Sequence, residues 1–174
     1  MKRFLFYTFA MLISFLLQTS AVRLFDTDMS GVTPNFLLIL IVAFAVMRGD
    51  RTGLLLGFFS GLLIDLVFGN FVGYHAAMLM FLGFFVGLLC MSLPKDSLLV
   101  YIPIVAVTDL VFEFLNYVFM FLLRARFDLG FYMREVIVPE VILTTVISLF
   151  IIPFYIFVDD NFSYDELRRA KKFV

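Results

Sequence analysis

GLLLGFFSGLLIDLVFG, residues 53–69, places Gly53, Gly57, Gly61, Asp65 and Gly69 at every fourth position of an otherwise apolar segment. On a helix that spacing stacks one residue per turn, so the five form a single ridge. Glycines on a ridge let a second helix bring its backbone unusually close. The ridge also carries the segment's one formal charge. A carboxylate at membrane depth costs several kcal/mol unless it is paired or wetted, so Asp65 predicts a partner.

The surrounding chain is built for a bilayer. Of its 174 residues 63% are hydrophobic and 16% charged, with a mean hydropathy of +1.07, far from the balance of a soluble domain. No stretch is polar enough for a separate soluble domain. A net charge of −1 supplies no basic surface for nucleic acid, and the single Cys90 excludes an intrachain disulfide or a multi-cysteine metal site.

Crossing the hydrocarbon takes about 20 mostly apolar residues. Six segments approach that length, near 4 to 22, 32 to 47, 53 to 69, 74 to 92, 98 to 123 and 136 to 158. This predicts an all-α membrane protein, a compact bundle of six transmembrane helices over 1–158, followed by a charged tail at 159–174 that lies on the anionic inner leaflet. Gly69, Asn70 and Gly73 are the natural place for the third and fourth segments to fold back as a hairpin.

Lys and Arg distribution gives the orientation. With the N-terminus inside, Lys2, Arg3, Arg48, Arg51, Lys95, Arg168, Arg169, Lys171 and Lys172 fall on the cytoplasmic side, against Arg23, Arg124, Arg126 and Arg134 outside. The first segment reads as a span rather than a cleaved signal, since it is long enough to cross and five more follow. Pro34 and Pro139 sit near the starts of their segments, where a missing N–H costs little.

Several polar residues lie at membrane depth. Asp109, Glu113 and Asn116 recur at i, i+4, i+7 and point one way from the fifth helix. They form either a proton or cation path or, the favoured reading, a polar seam satisfied by neighbouring helices. Glu140 aligns with Thr144 and Ser148 on the sixth. Asp65 and Glu140 are expected to pair with the outer arginines Arg23, Arg124, Arg126 and Arg134.

Ser60 and His75 are the one pairing that suggests nucleophilic catalysis. A rise of 1.5 Å per residue puts Ser60 roughly 9 to 12 Å below the turn, out of reach of His75. With one histidine and one cysteine a zinc site is not expected either. No catalytic, cofactor-binding or metal residue is assigned. The ridge itself suits the chain's own helices and a partner protein equally, and Gly83 with Gly87 on the fourth segment offers a second small-residue surface.

TPNFLLILIVAFAVMRGD at 33–50 and RTGLLLGFFSGLLIDLVFGNFVGYHA at 51–76 closely resemble the bacterial rod shape-determining MreD family. The matching positions are Gly57 with Phe58, Gly61, Asp65, Gly69 and Gly73. The resemblance implies a non-enzymatic scaffold of the cell-elongation complex in the plasma membrane, multi-pass with both termini cytoplasmic. It implies partnership with MreC, a periplasmic coiled-coil protein with one transmembrane helix, and with MreB, RodA and the elongation penicillin-binding transpeptidase in peptidoglycan synthesis. It also implies a fold like the substrate-binding subunits of energy-coupling-factor transporters. The ridge at Gly53, Gly57, Gly61 and Asp65 then becomes a surface for MreC or for a second copy in a homodimer. The rival reading is a vitamin-binding transporter subunit, which would need a small-residue docking face on the first helix, where Ala10, Ser14 and Gln18 stand. A proton-coupled transporter using Asp65, Asp109 and Glu113 is a third.

Overall fold

A computed structural model describes residues 2–25, 32–69, 72–91, 93, 98–120 and 129–170, with side chains omitted at 2–4, 22–25, 120, 129 and 162–170. Six helices account for nearly all of them: α1 Lys2–Phe25, α2 Phe36–Arg48, α3 Asp50–Val67, α4 Tyr74–Leu89, α5 Leu98–Met120 and α6. The last begins at Leu129–Tyr132, passes through a π-helical Met133–Ile137 and continues as Val138–Ala170. No strand occurs among the described residues.

The bundle is organised around α2. Every residue from Leu37 to Met47 is buried, against α1, α3, α4, α5 and α6. A helix apolar all round belongs inside a bundle, because it has no polar face to turn outward. Thirteen residues at about 1.5 Å each give roughly 20 Å, short of the ~30 Å hydrocarbon. The expected set of six comparable spans is therefore uneven. Two helices are long and apolar enough to cross a membrane by themselves, over Leu98–Phe119 and Gly130–Asn161, while the apolar stretches Leu5–Ala21, Phe36–Arg48 and Tyr74–Leu89 are shorter.

Without water, the free N–H groups at the start of α2 need partners from the chain. Asn35 accepts from Leu38 N through Oδ1 at 3.2 Å, and Gln18 of α1 accepts from Leu37 N at 3.2 Å. The N–H of Asn35 donates to Thr144 Oγ1 of α6 at 3.2 Å. At the other end Arg48 grips Asp159 of α6 with two contacts, Nη2–Oδ2 at 2.7 Å and Nε–Oδ1 at 3.1 Å. This bidentate form is the strongest geometry open to such a pair. Asp159, the first residue of the expected tail, is thus held by the bundle, and α6 runs on through it to Ala170 without a break. Only Gly49 separates α2 from α3; its φ of +93° is a left-handed conformation that favours glycine.

Pro139, expected near a helix start, lies ten residues into α6, directly behind the π-helical turn. A proline ring collides with the carbonyl four residues earlier in a regular helix, here that of Glu135. The wider π turn contains Glu135 and makes room.

α3 and α4 form the tightest pair. A Cβ on Gly53 would collide with the Gly83 carbonyl, one on Gly57 with Leu79, one on Gly61 with His75 and Ala76, and one on Gly87 with Gly49 and Asp50. The obstacles are backbone atoms, which cannot swing aside as a side chain would. Gly57→Leu should therefore lower stability by about 2 kcal/mol or more, roughly 4–8 °C in a chain of this size. Gly130→Ala, with nothing within 4 Å of the new atom, should leave the thermal midpoint in detergent unchanged. Equal midpoints for the two variants would refute the close α3–α4 contact.

Candidate functional site

The ridge is occupied from within. Of the occupants its spacing leaves open, the one in contact with Gly53, Gly57 and Gly61 is α4 of the same chain, which meets them with Gly83 and Leu79 and with the backbone of His75 and Ala76. Gly69 and Gly73 lie in the turn between the two helices, and Gly73 precedes α4 in the left-handed region at φ +102°.

Asp65 ends the ridge, 1% exposed, and none of its partners among the described residues is an arginine. Its Oδ2 accepts from Gly73 N at 2.9 Å and Ala76 N at 3.0 Å; its Oδ1 accepts from His75 N at 3.1 Å and meets His75 Nδ1 at 2.8 Å. A carboxylate only accepts, so this contact assigns the proton to Nδ1. Asp65 therefore caps α4 from the preceding helix, using the N–H groups that α4 cannot satisfy and the positive end of its dipole. Of the expected arginine partners, Arg134 is exposed, and the side chains of Arg23, Arg124 and Arg126 lie outside the described residues. Spacing could not reveal this, because the partner is backbone.

Depth does not separate Ser60 from His75, contrary to the expectation from helix rise. In the antiparallel pair the His75 carbonyl lies against Gly61, so the two residues share a level. What keeps them apart chemically is that the His75 ring is engaged by Asp65, while Ser60 Oγ is buried with no hydrogen-bond partner.

A second polar group fills the space between α5, α6 and the start of α2. Asp109 is 0% exposed, Glu113 6% and Glu140 9%. Each lies within electrostatic range of another, so Glu140, expected at an arginine, stands beside the carboxyls of α5. Asp109 sits beside Asn35 and Thr144, yet neither of its oxygens has a partner at bonding geometry. Asn116 flanks Glu113 and accepts from Tyr74 Oη at 3.1 Å. Tyr132 of α6 stands near both glutamates, its ring 5.2 Å from that of Tyr117. No group of three or more His, Cys, Asp or Glu among the described residues has a metal-binding arrangement.

The sequence reading missed Tyr74, His75, Asn35 and Gln18 as partners in these networks. Asn35 had a visible signal, since an asparagine directly before a long apolar run is a helix-start residue. Gln18 had none.

Residues 1–160 match the model of the rod shape-determining protein MreD. The chain belongs to that family, whose role is rod-shape determination in association with the membrane. Neither a curated protein nor a solved structure matches.

Asp65→Asn replaces one accepting oxygen with a donor and should cost about 2–3 kcal/mol, with faster deuterium exchange at the amides of Gly73, His75 and Ala76. His75→Ala removes one partly exposed contact and should cost about 1 kcal/mol. If His75→Ala proved the costlier in thermal unfolding, the backbone cap would not be the main role of Asp65.

Proposed function

We propose that this member of the MreD family is a non-enzymatic scaffold of the bacterial cell-elongation complex, multi-pass in the plasma membrane with both termini in the cytoplasm. In this reading it binds MreC and, with MreB, RodA and the elongation penicillin-binding transpeptidase, helps organise peptidoglycan synthesis. The observation that carries it is the family match over residues 1–160.

The interior supports a scaffold. Backbone-to-backbone packing of α3 on α4, the capped start of α4 and the bidentate Arg48–Asp159 pair make a rigid body rather than a moving one. Because α4 fills the glycine ridge, a partner helix or a second copy would dock on outward faces, where Leu5, Phe9, Leu12 and Leu16 of α1 are exposed.

The rival, a vitamin-binding transporter subunit with the expected likeness in fold, requires the small-residue face of α1 for its coupling subunit. That face is turned inward. Ala10 and Ser14 are buried, Ser14 Oγ lies 2.9 Å from Tyr155 Oη of α6, and Gln18 holds the start of α2.

Affinity purification from native membranes in mild detergent tests the two. Recovery of a single-span coiled-coil protein, with loss of rod shape in cells depleted of this chain, is the expected result. Recovery of ATPase subunits or a bound vitamin would overturn it.

A further inference from the structure

Asp109, Glu113 and Glu140 have no role in the scaffold reading, and their setting is specific. The start of α2 is level with Thr144, and one helical turn nearer the Gly73 turn α5 and α6 present Glu113 and Glu140. Asp109 lies at the floor, fully buried, with both oxygens unpartnered. Of the described basic side chains, Arg48 is bound to Asp159, His75 to Asp65, and Arg51 and Arg134 are exposed.

Three neighbouring carboxyls with no cation among them from the described side chains cannot all be ionised in a region without water, because each charge repels the others and loses its hydration. A metal ion would need converging oxygens, and the described residues do not supply that arrangement. A proton needs no cavity, and it turns an unpartnered carboxyl oxygen into a donor.

We propose that Asp109, Glu113 and Glu140 form a proton-binding site that exchanges with one side of the membrane only. The groups facing it are Asn35 from α2, Tyr74 from α4, with the His75–Asp65 pair beyond, Asn116 and Tyr117 from α5 itself, and Tyr132 and Thr144 from α6. Tyr74, Asn116 and Tyr132 connect the carboxyls to the end of the bundle that carries the Gly73 turn. In the other direction α2 offers no polar side chain from Leu37 to Met47, and the hydroxyls of the buried Ser148 and Tyr155 beyond Thr144 are engaged elsewhere, Ser148 Oγ donating to the Thr145 carbonyl at 2.7 Å and Tyr155 Oη lying 2.9 Å from Ser14 Oγ. Protons enter and leave by the same end, and no transport results.

The site is independent of partner binding, so its test leaves the scaffold reading untouched. Infrared spectra of the full chain in lipid nanodiscs at neutral pH should contain the carbonyl stretch of protonated carboxylic acids, shifted in heavy water. The band should weaken in Asp109→Asn, Glu113→Gln and Glu140→Gln, vanish in the triple variant, and persist in Glu135→Gln, whose side chain is exposed. Absence of the band from the wild type overturns the proposal even if no variant folds, as does its survival in the triple variant. Loss of the band when sodium replaces choline would identify a metal-cation site instead. Sustained proton flux in proteoliposomes would overturn the one-sided exchange.

Discussion

The Asp65 carboxylate at the head of α4 fixes how the two most tightly packed helices meet. Three backbone N–H groups and one imidazole converge on its two oxygens, which sets the geometry of the Gly73 turn and, with it, the register of α4 along α3. Once residue 65 faces residue 73, Gly61 falls opposite Ala76, Gly57 opposite Leu79 and Gly53 opposite Gly83. A slip of one residue would rotate side chains into the contact and drive the helices apart. The charge and the glycines on this ridge are therefore one device: the cap aligns the pair, and the absent side chains let it close.

The same logic of supplying water's role from within governs the rest of the bundle. α2 is too short to span and too apolar to face an aqueous phase, so the other helices enclose it and lend polar side chains to its start. Ser14 and Tyr155 tie α1 to α6, while the rings of Tyr7, Phe44 and Tyr155 stack across α1, α2 and α6 with centroids 4.8 and 5.4 Å apart. In a lipid solvent, where burial of apolar surface drives little, such fitted contacts and internal hydrogen bonds hold helices together.

Much of this was legible in the sequence because it is periodic. Hydropathy located the helices, and the i+4 spacing placed Gly53, Gly57, Gly61 and Asp65 on one face and Asp109 with Glu113 on another. What could not be read was the identity of partners across the bundle. Charge counting pointed Asp65 to arginines, whereas three of its four described partners are backbone amides that no residue letter marks. Charge counting likewise sent Glu140 to the arginines, whereas it lies beside the carboxyls of α5. The short span of α2 was hidden for a related reason: the residues before it are uncharged, so composition alone extended the helix to 32. The π turn ahead of Pro139 answers a clash between two particular residues, which hydropathy does not register.

The hydrogen bond from Asn35 to Thr144 joins residues 109 positions apart. As the chain emerges from the ribosome, the second helix begins with a backbone donor whose acceptor has not yet been made. The start of α2 therefore has its full set of internal partners only once the last helix is in place.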